Sequence, residues 1–167
     1  VRASLRVPGF EDIGYGGEPS PADLRALRDN ALFTGVDIRA LPRLLALFRA
    51  VTLPAQTRLY VRGRSARRIF LIVTGEIAVV QNTGDVRTTI ALLGPGEFTG
   101  ERAVLRPQVR HLWSAICTAP TRVGFVESET LLDAARALPA IGVNVAGALH
   151  RRVLDASSAI DALIAGR

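Results

Sequence analysis

Between Val51 and Glu127 the apolar residues fall into short runs separated by turn-forming residues, at intervals of roughly eight to twelve, and few folds accept that pattern. The runs are Arg58 to Val61, Ile69 to Val73, Glu76 to Gln81, Thr88 to Leu93, Trp113 to Thr118 and Arg122 to Val126. Thr74-Gly75 and Thr83-Gly84-Asp85 supply tight turns between them. The spacing predicts an all-β barrel or sandwich for this middle segment.

The flanks carry a different period. Ser20-Pro21-Ala22-Asp23 has the order of a helix start, with Ser20 as N-cap, Pro21 at the first helical position and Asp23 at the third. From there to Ala50 two short helices are expected, broken around Gly35. The second runs from Arg39 to Arg49 and sets Leu41, Leu44, Leu45 and Phe48 on one face. After the β segment, helical patterns occupy Thr130 to Ala137 and, past an interruption at Pro139, Ala140 to Ala165, ending at Gly166. In the last helix Ala146, Leu149, Val153, Ala156, Ile160 and Leu163 recur as a heptad seam. The seam packs either on a partner helix or on the chain's own β segment. Residues 1–21, rich in Gly and Pro, form an irregular arm or linker, and residues 22–167 form the domain: helices over 22–50, strands over 51–127, helices over 130–165. The expected class is α+β.

Composition narrows what such a domain does. At 167 residues the chain is about one domain with core enough to stand alone. Apolar runs such as Ile69 to Val73 are far too short to span a bilayer, and the N-terminus lacks the apolar stretch of a signal peptide, so a cytoplasmic protein without membrane attachment is expected. One cysteine, Cys117, excludes an internal disulfide, and with only His111 and His150 beside it no zinc finger is expected. Cys117 lies in an apolar run and reads as a small buried hydrophobe. No spacing outlines a nucleophile and its base, so the chain is not expected to be an enzyme. The net charge is +6 and all 21 basic residues are arginine, a usage that points first to a GC-rich genome. The cluster Arg58, Arg62, Arg64, Arg67 and Arg68 reads as a solvated loop rather than a nucleic-acid patch.

One segment carries chemistry: Gly94-Pro95-Gly96-Glu97-Phe98-Thr99-Gly100-Glu101, then Arg102-Ala103-Val104-Leu105, and further on Arg110 and Ser114-Ala115. Glycine lets backbone amides approach an anion, a carboxylate accepts from a sugar hydroxyl, and an arginine forks onto a phosphate. A small phosphorylated sugar satisfies all three. A glycine-shaped turn with solvated charges is the plainer alternative.

With these segments in this order, the stretch from about Leu32 to Leu163 resembles the cyclic-nucleotide-binding domain family, above all the sensory half of catabolite-activator and Fnr-type bacterial regulators. The likeness rests on Leu32-Phe33, on Ile69-Phe70-Leu71-Ile72-Val73-Thr74-Gly75-Glu76-Ile77-Ala78-Val79, on Gly96 to Glu101, and on Pro139 through Arg151-Arg152. It implies an eight-stranded antiparallel β-roll, jelly-roll-like, flanked by N-terminal helices and a long C-terminal helix. The ligand it implies is cyclic AMP or another cyclic nucleotide, with no further cofactor, lying against a short helix that starts near Thr99. Gly100 would then meet the ribose-phosphate through its backbone, Glu101 would bind the ribose 2′-hydroxyl, and Ala103 would line the pocket.

The family reads arginine before the Ser/Ala-Ala pair, whereas here Trp113 precedes Ser114-Ala115. Either the loop bulges so that Arg110 reaches the phosphate, or that anchor is lost; Trp113 is then a packing aromatic or a stacking platform. Ser157, beside Ala156, falls near where the catabolite activator's dimer helix presents hydroxyls to the purine. The resemblance therefore implies a ligand-sensing regulatory module that couples a pocket to the final helix and a homodimer. The competing expectation is a degenerate member that serves only in assembly, or the regulatory part of a longer redox flavoprotein. With the chain stopping at Arg167, no DNA-reading helix-turn-helix follows and no direct DNA binding is expected.

Overall fold

A computed structural model describes residues 8–13, 16–105 and 108–166. Its eight strands are β1 (Arg49–Leu53), β2 (Arg58–Tyr60), β3 (Arg68–Thr74), β4 (Ile77–Thr83), β5 (Val86–Leu93), β6 (Phe98–Thr99), β7 (Ser114–Cys117) and β8 (Thr121–Glu127). Two four-stranded sheets, ordered β1-β8-β3-β6 and β2-β7-β4-β5, are paired throughout in antiparallel fashion. This is the jelly-roll-like α+β architecture that the family resemblance implied. The helices are α1 (Pro21–Arg28), α2 (Leu41–Leu45), α3 (Arg102–Leu105), α4 (Ser128–Ala135) and α5 (Pro139–Ala165).

Strand β3 shows why its sequence is a continuous apolar run. Successive side chains point to opposite faces of a sheet, and both faces of β3 are covered. Ile69 and Leu71 belong to the cluster formed with the helices, among them Leu27, Phe33, Leu131, Ile141 and Val145. Phe70 and Ile72 belong to the roll interior with Leu59, Ile77, Val79, Val123 and Phe125. The β3–β4 turn requires Gly75, whose φ is +94° and whose Cβ, were there one, would lie 2.5 Å from Thr121 Oγ1.

Three boundaries differ from expectation. The helix expected over Arg39 to Arg49 is confined to Leu41–Leu45, and Arg49–Leu53 pairs with β8 as an edge strand. Phe98 and Thr99 form the short strand β6 against β3, so the short helix begins at Arg102 rather than near Thr99. Pro139 opens α5 instead of interrupting before it. Of the arm, residues 1–7, 14 and 15 lie outside the described residues. The rest lies on the domain: Phe10 is buried edge-on against Phe70 and Phe125, and Gly9 and Gly17 bridge to Arg58 and Ala50.

Helix α1 starts where its sequence predicts. Ser20 and Asp23 form a capping box, and Asp23 also accepts from Arg122 Nε at 2.7 Å and Nη2 at 2.6 Å, tying α1 to β8. The Arg122 guanidinium holds the Asp23 carboxyl at about 2, below its ordinary 3.8. A carboxylate with a depressed folded pKa stabilises the fold above the unfolded value and loses that contribution as pH falls through the folded one. Asp23→Asn is therefore expected to lower stability by a constant amount at pH above about 5, and the difference from wild type to vanish between about pH 4 and pH 2. Thermal melts of both proteins across that range check it; a difference that persists at pH 2 would assign the effect to packing.

Candidate functional site

The site begins where β6 ends. Gly100 has φ +86°, and a Cβ there would meet the carbonyl oxygen of Arg68 at 2.4 Å, so the chain passes flush against β3 before turning into α3. Ala103 and Val104 donate to the carbonyls of Gly100 and Glu101, which starts that helix. The turn drives Glu101 inward, where it is 4% exposed.

Opposite it stands Arg152 of α5, 6% exposed. Arg152 Nε lies 3.9 Å from Glu101 Oε1, an ion pair too long to be a hydrogen bond. Arg152 Nη2 donates to the Phe98 carbonyl at 3.4 Å, and Nη1 lies 3.9 Å from Asp155 Oδ2. Glu101 Oε2 and Arg152 Nε are both buried with no hydrogen-bond partner among the described residues. Such orphaned charged atoms are rare in folded interiors and call for an explanation. Burial pushes the Glu101 carboxyl up, against the pull of the Arg152 charge.

Tyr60 and His111 form the adjoining wall. Their rings stack at 3.9 Å with 8° between planes, and the Tyr60 hydroxyl shares a 2.6 Å hydrogen bond with Thr99 Oγ1. Burial, with the Glu101 charge nearby, raises the Tyr60 hydroxyl well above its ordinary range. Burial, with Arg102 nearby, drops the His111 imidazole to about 4, which keeps it neutral. Trp113 is buried in the roll-interior cluster, against which Leu149 and Ala156 of α5 also pack. Between Gly100, Glu101, Arg102, Leu112 and Trp113 there remains a recess of only about 10 Å³, far below the ~300 Å³ at which small-molecule pockets usually begin.

Among the residues singled out from the sequence, Gly100, Glu101, Arg102 and Trp113 meet at this recess. Ala103 is buried and lines a separate cleft with Ser65, Ala66 and Gln108. Arg110 is exposed: its backbone bridges to Ser65 and its Nη1 donates to the Gly63 carbonyl at 2.8 Å, while its own carbonyl accepts from Arg102 Nε at 3.1 Å. Ser114 opens β7 and its hydroxyl accepts from the Arg62 amide at 3.0 Å; Ala115 beside it is fully buried. Ser157 is exposed on α5. Arg152, Tyr60, His111 and Thr99 were not singled out. A signal for Arg152 exists in the sequence, since it continues the stripe Ile141, Val145, Ala148 at helical spacing, and that stripe is the buried face of α5. The seam runs beside it: Leu149 and Ala156 are half-buried, whereas Val153, Ile160 and Leu163 are 49%, 45% and 48% exposed. Among the described residues no three or more His, Cys, Asp and Glu side chains are grouped to hold a metal ion, and no helix is long and apolar enough to cross a membrane.

Two antiparallel sheets rolled around an apolar interior, with a glycine-led carboxylate turned in under a long helix, define a β-roll domain. The model of the cyclic nucleotide-binding domain matches residues 50–137, and the chain belongs to that family. Over 138 residues it is 28% identical to the "Cyclic AMP receptor protein" of Thermus thermophilus, a match that covers 82% of this chain and 63% of that protein. The chain thus spans less than two thirds of the length of that relative. The crystal structure of the Thermus thermophilus catabolite activator protein superposes with a TM-score of 0.68 at 27% identity, covering 80% of this chain and 63% of that one. A cyclic nucleotide-binding-like protein from Brucella abortus superposes at 0.55 with 30% identity, covering 64% of this chain and 91% of that one.

Proposed function

We propose that the chain is a regulatory ligand-sensing module in which a cyclic nucleotide, or a related small phosphorylated sugar, seats at Glu101 and is felt by α5 through Arg152. The observation that carries this reading is the pair of orphaned atoms, Glu101 Oε2 and Arg152 Nε, facing each other from the roll and from α5. A ribose hydroxyl donates to the carboxylate, which when ionised can only accept. Gly100 offers its backbone to the ribose-phosphate, with the amides of Ser114 and Ala115 nearby on β7. Because Glu101 and Arg152 sit on different elements, satisfying one changes the force on the other, and α5 shifts relative to the roll. The half-exposed seam Val153, Ile160 and Leu163 then passes that shift to a second copy of the helix in a homodimer. Such a module works in the cytoplasm and is regulatory rather than catalytic; the relatives it resembles are named as receptor and activator proteins.

Trp113 favours a second reading. An indole buried where the family places an arginine closes part of the pocket and supplies no charge, so the alternative is a domain that assembles without binding. A thermal-shift panel of cyclic mono- and dinucleotides separates the two. A ligand at 100 times its dissociation constant stabilises the fold by ~2.7 kcal/mol, and Glu101→Ala is expected to abolish the shift. No shift with any nucleotide, up to millimolar concentration, would leave assembly as the function. The dimer is checked by light scattering: Ile160→Arg is expected to halve the mass, and an unchanged dimer would place the interface elsewhere.

A further inference from the structure

Four of the five arginines in the cluster Arg58, Arg62, Arg64, Arg67 and Arg68 line one cleft. It shares Tyr60 and His111 with the Glu101 recess but is far larger, about 450 Å³. Among the residues that line the cleft the one carboxylate is Glu11 of the N-terminal arm. Glu11 is committed to Arg68, which Glu127 also holds at 2.7 Å. Arg64 and Arg67 are exposed and have no side-chain hydrogen bond or ion pair among the described residues. Their backbone is nevertheless fixed: the Arg64 carbonyl accepts from the His111 amide at 2.9 Å and the Arg67 carbonyl from the Ser128 amide at 2.7 Å.

Like charges gathered on a concave wall repel one another and focus a field on whatever anion enters. The pairing of Glu11 with Arg68 shows how the cleft takes an anion: a carboxylate reaches in from the arm and meets a guanidinium fork. We infer that this cleft is a second ligand site, separate from the Glu101 recess, and that it binds a small molecule bearing a diphosphate or longer phosphate chain. Two guanidinium groups without a partner among the described residues set the minimum ligand charge at two, and their planar donors match phosphate oxygens in pairs. The apolar lining from Phe10, Leu59 and Phe70 leaves room for an organic portion beside the phosphates.

Titration calorimetry with inorganic pyrophosphate at low salt tests this. One saturable site is expected, weakened at least about tenfold by Arg64→Ala with Arg67→Ala, since a hydrogen bond to a charged group is worth that factor or more. Both side chains are exposed and neither has a polar partner among the described residues, so the double variant is expected to melt with the wild type. Glu101→Gln is expected to leave pyrophosphate binding unchanged, which keeps the outcome independent of the nucleotide reading. Absence of binding, binding that survives the double substitution, or binding lost equally in Glu101→Gln would overturn the assignment.

Discussion

Replacing Trp113 by arginine is expected to raise affinity for cyclic AMP by on the order of a hundredfold while lowering the stability of the free domain by about 3–5 kcal/mol. The two effects share one cause. Trp113 is 9% exposed and packs in the roll interior, so the substitution removes a large apolar group and leaves a guanidinium facing apolar walls. A phosphate at the recess supplies the counter-charge that this guanidinium lacks. A charge-assisted phosphate contact contributes ~1.5–3 kcal/mol, which is one to two decades in the dissociation constant. Arg110 does not already fill this role, because its guanidinium is turned out to the Gly63 carbonyl. Calorimetry with cyclic AMP on wild type and variant measures the first effect, and melts with and without nucleotide measure the second. The variant is expected to recover much of its lost stability in saturating ligand. Should Trp113→Arg prove too unstable to isolate, Trp113→Ala opens the same space without a charge and is expected to gain less. A folded variant with unimproved affinity would mean that position 113 does not face the phosphate.

How much of this was written in the sequence depends on the length scale of each signal. The strands β3, β4, β5 and β8 were legible because each is a run of five or more residues with turn residues at its ends. β1 was not: Leu41, Leu44, Leu45 and Phe48 extend the helical period up to Arg49, and what stops the helix at Leu45 is pairing with β8 from the far end of the roll. That is a non-local cause, and no window of local sequence contains it. β6 is two residues long, below any periodicity.

At the recess, Gly100 and Glu101 were picked out through the likeness of Gly96 to Glu101 to the family's segment, because glycine spacing alone leaves a plain turn open. Arg152 was not, because an arginine on an amphipathic helix ordinarily extends its head into water. Only its register with Ile141, Val145 and Ala148 places it on the buried face. Two stripes lie side by side on α5, and the heptad spacing drew attention to the one that stays half-exposed. The arginine cluster behaved similarly: its residues were legible as a group, but their convergence on one cleft comes from the loop between β2 and β3 pairing with residues 109–111.

Arg152→Met is expected to destabilise the domain by about 3–5 kcal/mol at neutral pH, since removing one partner strands a buried charge. The stranded group is Glu101, and it has a way out. Its carboxyl is already pushed above the ordinary 4.5 by desolvation, and taking away Arg152 removes the main charge pulling it down. A carboxyl whose folded pKa exceeds its unfolded one binds its proton more readily in the folded state, so it favours folding increasingly as pH falls between those two values. The variant is therefore expected to regain stability relative to wild type as pH is lowered from neutrality toward the ordinary carboxylate range, before Asp23 titrates. Adding Glu101→Leu to Arg152→Met removes both charges, and the double variant is expected to match or exceed wild-type stability, because a poorly paired buried ion pair gains less than its desolvation costs. Urea titrations of the two single variants and the double at pH 7 and pH 5 give the coupling energy directly. A double variant as unstable as Arg152→Met alone would locate the loss in the packing of the arginine stem against the roll. The pair as it stands, 3.9 Å apart with an orphaned atom on each side, is poorly built for stability. Its open valences suit a group that is sometimes present, so the stabilised double variant is also expected to bind no cyclic nucleotide and to hold α5 in one position with or without it.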